Sequence, residues 1–153
     1  MPSTSTITVA TNIFNRLQIG VVTASADETR ALAAEVAAAL PPDSTLALHG
    51  DLGVGKTTFV QGLARGLGIT EPVTSPTFNI FTLHRGRTNL LHLDAYRLEN
   101  ARQIEDLLLA DFMISPWCLA VEWPEKISAW LPAGTIHLEL GIAAGERHSL
   151  RLR

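Results

Sequence analysis

Residues 50–57 read GDLGVGKT, a glycine-rich stretch that ends in a lysine and a threonine. This spacing satisfies the G-x-x-x-x-G-K-[ST] pattern of a phosphate-binding loop. Gly50 and Gly55 would let backbone N–H groups turn inward around phosphate oxygens, and a helix starting near Lys56 would direct its free N–H groups at the same anion. Lys56 would reach the β- and γ-phosphates, and the Thr57 hydroxyl would bind Mg²⁺. The alternative is an ordinary glycine-rich turn, which is disfavoured because the pattern lies between a predicted strand and a predicted helix.

Two carboxylates stand where such a loop would need them. Asp94 ends the apolar stretch NLLHLD, and Glu122 ends the apolar stretch CLAVE. Ligands of open α/β sheets bind beyond the carboxyl ends of the strands, and an aspartate at the end of an apolar strand typically serves the metal directly or through water. The alternative for each acid is a helix-capping or surface carboxylate. The pattern favours a metal-binding role for both.

The elements that must position these groups alternate between strands and helices. We predict strands at residues 16–22, 45–50 and 118–123, an antiparallel hairpin from residues 77–85 and 88–98, and closing strands at 135–142 and 148–153. Helices are predicted from Ser25, whose spacing to Glu28 is that of a capping box, to Pro41, and over residues 56–68, 101–113 and 124–131. Together with the phosphate-binding loop, this order predicts the fold class α/β: a single-domain, P-loop NTPase-like three-layer sandwich with a mostly parallel central sheet, an antiparallel hairpin and antiparallel closing strands.

Composition limits the chain to one domain and few partner classes. The chain has 153 residues, a formal net charge of −3 and no cluster of basic residues of the kind that follows a nucleic-acid backbone. It has no apolar run of membrane-spanning length, and its single cysteine has no partner for an intramolecular disulfide, so we expect a soluble cytoplasmic protein without a membrane partner. Residues 1–18 are predicted to be a flexible extension and residues 19–153 the folded domain. The single cysteine, Cys118, is predicted to be a small buried hydrophobic residue.

The nucleotide base is predicted from two missing motifs. No Asn-Lys-x-Asp segment for guanine occurs, and Asp94 is followed by AYRL rather than by the x-x-Gly of a GTPase. Adenine is therefore favoured over guanine, and ATP and Mg²⁺ are the expected ligands.

Four motifs together resemble one family. They are GDLGVGKTTF at 50–59, SPTF at 75–78, HLDAYRL at 92–98 and VEWPEKI at 121–127. In this order and spacing they resemble the TsaE (YjeE) family of P-loop ATPases, which act in the biosynthesis of threonylcarbamoyladenosine in bacterial tRNA. The resemblance covers nearly the whole chain after the extension. Val54 stands where the family usually has alanine, a difference that leaves the glycines, Lys56 and Thr57 in place.

The resemblance implies a set of site residues. Lys56, Asp94 and Glu122 would be catalytic, and Thr57, Asp94 and Glu122 would hold Mg²⁺. Ser75 and Thr77 match a switch-like loop near the γ-phosphate, although Ser-Pro-Thr is also a common turn. The residues implied to contact ATP are Leu52, Gly53, Val54, Gly55, Lys56, Thr57, Thr58, Ser75, Thr77, Trp123, Ala26 and Gly145.

Some of these residues have a second interpretation. Trp123 would lie near the nucleotide, but it could equally be a core aromatic residue. Ala26 and Gly145 match backbone regions that line the adenine. His92 alternates with Asp94 and points the same way, which favours a structural role supporting the acid. A metal-ligand role for His92 is less favoured because no second His or Cys lies at ligand spacing.

The resemblance also implies partners: the TsaD and TsaB proteins, with tRNA contacted only indirectly through the complex. Turnover by the isolated chain would be weak because no obvious arginine finger lies beside the motifs, although Arg65 and Arg97 remain candidates. Two other functions stay open at this point, a small-molecule kinase and a nucleotide-gated binding module without useful turnover.

Overall fold

The computed structural model describes residues 13–76 and 80–153, and these fold around one seven-stranded sheet. The helices in chain order are α1 (residues 13–19), α2 (Ala26–Ala39), α3 (Lys56–Gly66) and α4 (Arg102–Asp106). The strands are β1 (Val21–Thr23), β2 (Ser44–His49), β3 (Phe81–His84), β4 (Asn89–Asp94), β5 (Trp117–Glu122), β6 (Ile136–Ile142) and β7 (His148–Leu152). Three short 3₁₀ turns cover Leu109–Phe112, Pro124–Ile127 and Ala144–Glu146.

The sheet is parallel at its centre and antiparallel at both edges. The strand order is β1-β7-β6-β2-β5-β4-β3. β6, β2, β5 and β4 run parallel, whereas β3 pairs with β4, and β7 with both β6 and β1, in antiparallel register. The predicted fold class, with its hairpin and its antiparallel closing strands, is confirmed. The parallel centre matters most for the site, because the ends of β2, β4 and β5 meet at one edge.

The core lies on both faces of the sheet because successive strand residues point to opposite sides. On β5, Cys118 and Ala120 face the helices α1, α2 and α3, whereas Leu119 and Val121 face the opposite layer. That second layer is built from α4 and the 3₁₀ turns Leu109–Phe112 and Pro124–Ile127. Burial raises the pKa of the Cys118 thiol to about 12, which agrees with the predicted role as a small hydrophobic residue.

Helix α2 starts where its capping box predicts. The Glu28 backbone N–H donates to the Ser25 hydroxyl (3.1 Å), and the Glu28 carboxylate in turn accepts from the Ala24 N–H. The helix ends before Pro41, which cannot donate the next backbone hydrogen bond.

The predicted strand over residues 16–22 is wrong in its first half. Residues 13–19 are helical, and only Val21–Thr23 form a strand. Ile13 and Leu17 are one helical turn apart and are 1% and 0% exposed in the core, so burial of this short stripe favours the helix. Gly20, at φ 111°, ends the helix. The folded domain therefore begins before residue 19, and residues 1–12 lie outside the described residues.

The helix predicted over residues 101–113 is also wrong. It is divided into the five-residue α4 and the 3₁₀ turn Leu109–Phe112, with Leu108 in the left-handed conformation between them (φ 53°). Ile104 and Leu109 both enter the core beneath the sheet. Residues five apart on a regular helix point in directions about 140° apart, so both reach one core only if the helix is interrupted. The helix predicted over residues 124–131 is likewise only the 3₁₀ turn Pro124–Ile127.

Helices α2 and α3 approach closely at two glycines, Gly62 and Gly66. A Cβ atom on Gly62 would lie 2.3 Å from the Arg30 carbonyl oxygen and 2.7 Å from the Ala33 Cβ. A side chain at this position would force the two helices apart. This close contact fixes α3, whose first residues carry the lysine and threonine of the loop.

Gly62→Ala should therefore destabilise the protein by about 2 kcal/mol, because overpacking against a backbone carbonyl lies at the upper end of its usual range of about 1–3 kcal/mol and exceeds the gain in helix propensity of about 1 kcal/mol. Urea unfolding of the variant and the parent measures this difference. The control is Arg65→Ala, on the exposed face of the same helix, which should stay within about 0.5 kcal/mol of the parent. A Gly62→Ala protein as stable as the parent would mean that the helices do not pack this closely.

Candidate functional site

The glycine-rich loop connects the end of β2 to the start of α3. Gly50, Gly53 and Gly55 all have positive φ angles, of 146°, 82° and 97°. A Cβ atom on Gly50 would lie 2.5 Å from the Leu140 carbonyl oxygen, so β6 passes directly against the loop. Helix α3 has no side-chain cap at its first turn. Its backbone N–H groups are therefore available to an anion held by the loop.

The two strand-end acids lie side by side at the same edge of the sheet. Asp94 of β4 is in register with Glu122 of β5, and Glu122 is in register with Leu48 of β2, which leads into the loop. Asp94 accepts a hydrogen bond from the backbone N–H of Tyr96 (3.0 Å) and is partly exposed. Glu122 is only 4% exposed. The parallel register thus brings both predicted acids together.

Glu122 connects the sheet to the loop through a single carboxylate oxygen. Its Oε2 accepts from the Thr57 hydroxyl at 3.4 Å and from His92 Nε2 at 2.5 Å. A buried carboxylate is costly to desolvate unless donors or cations satisfy it, and these two donors do so in part. Thr57 and Glu122, predicted as partners at one site, are therefore in contact.

Lys56 lies buried between the loop and an aromatic ring. Its Nζ donates to the Gly50 carbonyl oxygen (2.5 Å) and lies 3.7 Å from the centroid of the Trp123 ring. Desolvation lowers the pKa of Lys56, and nearby carboxylates, Glu122 first among them, oppose this shift. The ammonium is held by a carbonyl dipole and a ring face, both weaker partners than a phosphate.

Trp123 stands at the junction of β5 and the following 3₁₀ turn. It has a left-handed backbone conformation (φ 57°), which is uncommon for a bulky residue and directs the chain sharply away from the sheet. Its ring packs against Tyr96 with centroids 5.0 Å apart. The ring thus lies between the loop lysine and the segment that follows Asp94.

The remaining predicted residues lie at varying distances from this centre. Ser75, Asp94 and Tyr96 line one cavity of about 240 Å³. Thr77 lies outside the described residues. Leu52 and Val54 line a larger open cleft of about 990 Å³ beside the loop, but Ala26 and Gly145 are not among its lining residues. Ala26 begins α2, and Gly145 lies in the turn between β6 and β7.

His148 is a contact of the loop that the sequence did not indicate. Its Nδ1 lies 2.9 Å from the Val54 carbonyl oxygen, and it would lie 3.6 Å from a Cβ atom on Gly55. His148 begins β7, which pairs with β6 beside the loop. Only the long-range pairing of the closing strands brings it there, so no local motif could have identified it.

A histidine pair lies just before the loop, at the end of β2. His49, the residue before Gly50, has its Nε2 2.8 Å from Nδ1 of His137 on the neighbouring β6. Burial lowers the pKa of His49, and the positive charge of Arg153 and the neighbouring His137 lower it further. The His49 ring is therefore more easily kept neutral than an exposed histidine.

The oxygen donors around the loop suit a hard cation. Within residues 13–76 and 80–153, no three His, Cys, Asp or Glu side chains come together as a self-sufficient metal site. Mg²⁺ in phosphate-transfer sites needs only one or two carboxylates in addition to phosphate oxygens and water. The Thr57 hydroxyl and the Glu122 and Asp94 carboxylates fit this requirement. Thr57 can donate its proton to Glu122 and still offer its lone pairs to a cation.

The parallel centre, the glycine-rich loop after β2 and the acids at the ends of β4 and β5 place the chain in the P-loop NTPase-like class of α/β folds. The comparisons with known proteins narrow this class. The family model for "Threonylcarbamoyl adenosine biosynthesis protein TsaE" matches residues 23–149. The chain therefore belongs to the TsaE family.

Individual relatives agree with this assignment. The chain is 37% identical over 123 residues to the tRNA threonylcarbamoyladenosine biosynthesis protein TsaE of Treponema pallidum, covering 80% of this chain and 91% of the relative. It is 39% identical over 129 residues to the TsaE protein of Bacillus subtilis, covering 84% and 80%. The crystal structure of Bacillus subtilis YdiB superposes with a TM-score of 0.73 at 33% identity, covering 87% of this chain and 82% of that one.

None of the helices in the described part of the chain is both long enough and apolar enough to cross a membrane.

Two of the loop glycines, Gly50 and Gly53, should tolerate substitution very differently. Gly50→Ala should destabilise the protein by about 2 kcal/mol or more, because the new methyl group would overlap the Leu140 carbonyl in addition to straining the backbone. Gly53→Ala is the matched control, since a Cβ atom there meets nothing within 4 Å and only the positive φ is strained, at about 1–2 kcal/mol. If urea unfolding showed the same loss of unfolding free energy in Gly50→Ala and Gly53→Ala, the close approach of β6 to the loop would be contradicted.

Stability should fall in mild acid through His49. Because the pKa of His49 is lower in the folded chain than its ordinary value of 6.5, the unfolded chain binds the proton more readily. The contribution of neutral His49 to the free energy of unfolding is fully present above pH 6.5. It is lost as the pH falls from 6.5 through the pKa of His49 in the folded chain. Urea unfolding at pH 7.5 and pH 5.0 measures how far the free energy of unfolding falls between these two values. The fall should be smaller in His49→Gln, which keeps a donor toward His137, than in the parent. An identical loss in both proteins would rule out this contribution.

Proposed function

We propose that this protein binds and hydrolyses ATP in a Mg²⁺-dependent manner as a component of the machinery that forms threonylcarbamoyladenosine at position 37 of tRNA. The observation that carries this proposal is the convergence of Lys56, Thr57 and Glu122 at the start of α3. A buried carboxylate hydrogen-bonded to the loop threonine, beside a buried lysine, is a costly arrangement. A metal-chelated triphosphate would satisfy all three groups at once.

The chain's own residues would divide the work between binding and orientation. The backbone N–H groups of the loop and of the first turn of α3 would hold the phosphate oxygens. Thr57 and Glu122, with Asp94 beside them, would hold Mg²⁺, which supplies charge neutralisation of the phosphates when bound. Glu122 and Asp94 would also orient the attacking water. Catalysis of this type rests on positioning and electrostatic stabilisation rather than on a covalent intermediate.

Lys56 would change partners when ATP binds. In the structure its ammonium is held by the Gly50 carbonyl and the Trp123 ring. A charge-assisted hydrogen bond to phosphate is stronger than either contact, and its negative charge would offset the desolvation that now lowers the Lys56 pKa. The lysine is thus held at the start of α3 by two contacts that a phosphate could displace.

The names of the relatives and the charge of the chain support the placement in tRNA modification. The proteins from Treponema pallidum and Bacillus subtilis are named for threonylcarbamoyladenosine biosynthesis. A chain with a net charge of −3 is poorly suited to hold tRNA by itself. From the resemblance to the TsaE family we propose that TsaD and TsaB are its partners, and the net charge favours contact with tRNA through their complex.

Glu122→Gln should lower ATP turnover at least about 100-fold, because it removes a metal ligand and a water-orienting carboxylate while keeping the shape of the side chain. Release of inorganic phosphate is measured for the isolated chain and for the chain mixed with TsaD and TsaB, which should accelerate it. Lys56→Ala should abolish the acceleration. Glu35→Gln, on the exposed side of α2, is the matched control and should leave turnover unchanged.

The same measurements distinguish ATP hydrolysis from the two other candidate functions, a nucleotide-gated binding module and a small-molecule kinase. Absence of ATP binding by the parent would refute the proposal entirely. Binding without turnover, even with both partners, would favour a nucleotide-gated binding module. Transfer of the phosphate to a small-molecule acceptor rather than to water would favour a kinase.

A further inference from the structure

His92 is a fully buried polar residue in the middle of an otherwise apolar strand. It is 0% exposed on β4, between Leu91 and Leu93, which point into the opposite core layer. A buried imidazole is unfavourable unless it is hydrogen-bonded, and an apolar residue at this position would be less costly. Its presence therefore calls for a specific partner.

That partner is the acid of the candidate site. His92 Nε2 lies 2.5 Å from Glu122 Oε2, across the parallel pair β4 and β5. Thr57 donates to the same oxygen from the loop. Both donors thus act on Oε2 and hold it between the loop and the sheet, so Oε1 is the oxygen that can turn toward a ligand.

The hydrogen-bond geometry indicates which ring nitrogen of His92 donates. Nδ1 is buried and has no hydrogen-bond partner among the residues that the structure describes. Nε2 is the ring nitrogen that faces the carboxylate, and a carboxylate oxygen accepts, so the Nε2–H of His92 donates to Glu122. The interaction is then a directional hydrogen bond, which fixes the orientation of the carboxylate.

We propose that His92 is a positioning residue that fixes Glu122 for metal binding. The inference rests on the proposed function, because it concerns the same Mg²⁺ and nucleotide site. By occupying Oε2, His92 and Thr57 would present Oε1 to the cation. Groups that orient a metal ligand in this way commonly change metal affinity or activity 10- to 100-fold when they are removed. Without His92, the longer bond from Thr57, at 3.4 Å, would be the one remaining hydrogen bond to this carboxylate among the residues that the structure describes.

Two substitutions test this role. His92→Leu removes the donor and keeps an apolar side chain in the buried position, and His92→Gln places an amide N–H near the position of Nε2. Calorimetric titration with ADP, with and without Mg²⁺, measures binding without relying on turnover. The Mg²⁺ concentration for half-maximal ADP binding should rise about tenfold or more in His92→Leu and return to within about threefold of the parent in His92→Gln. ADP affinity without Mg²⁺ should change less than about threefold in both variants.

His84→Leu is the matched control for loss of a buried histidine. His84 on the neighbouring β3 is also buried and also contacts a carboxylate, with its Nδ1 2.6 Å from Glu71 Oε1. Its removal should lower stability in urea unfolding but leave the Mg²⁺ requirement unchanged. An equal change in the Mg²⁺ requirement of both variants would show a general structural effect and overturn the proposal.

The outcomes separate this inference from the proposed function. If the parent binds no adenine nucleotide, the proposed function fails and the inference falls with it. If the parent binds Mg²⁺ and ADP but His92→Leu keeps the parental Mg²⁺ requirement, only the role of His92 is refuted. If His92→Leu does not fold, His92→Asn replaces it, because its shorter amide does not reach Glu122. Equal Mg²⁺ requirements in His92→Asn and His92→Gln would then also refute the proposal.

Discussion

The buried carboxylate of Glu122 is the constraint around which the site is arranged. A carboxylate that is only 4% exposed is stable in the folded protein only if donors or cations compensate for its lost hydration. Two donors come from different parts of the chain, Thr57 from the first turn of α3 and His92 from β4. The parallel register of β2, β5 and β4 is what allows both to reach one oxygen. The sheet topology and the geometry of the acid are therefore determined together.

The packing around α3 serves the same geometry. Thr57 can reach Glu122 only if the start of α3 is fixed relative to β5. Gly62 and Gly66 allow α2 to pack closely along α3, and Phe59 and Leu63 bury the side of the helix that faces the sheet. The loop before the helix is held from the other side, by Leu140 of β6 and by His148 of β7. Stability of the fold and precision of the site thus depend on the same contacts.

The parts of the structure that could be predicted from the sequence have local signals. The loop is recognisable because glycines, a lysine and a threonine at fixed spacing have few other uses, and α2 because Ser25 and Glu28 form a capping box. The adjacency of Asp94 and Glu122 followed from the rule that parallel strands end at one edge of the sheet. The roles of these residues toward ATP and Mg²⁺ stay predictions.

The parts that were missed depend on long-range contacts. Helix α1 has a short periodic signal in Ile13, Phe14 and Leu17, too little to outweigh the strand-like residues that follow. The interruption at Leu108 is imposed by a core that both Ile104 and Leu109 must enter. The contacts of His148 and of His92 can be recognised only when strands distant in sequence are paired.

Two separate physical requirements therefore define this site: a loop whose geometry is encoded locally, and a buried acid whose surroundings exist only in the assembled sheet. A substitution that leaves every motif intact, such as one at Gly62, can still disturb the second requirement, because the acid's donors reach it only through the packing of α3 and β4.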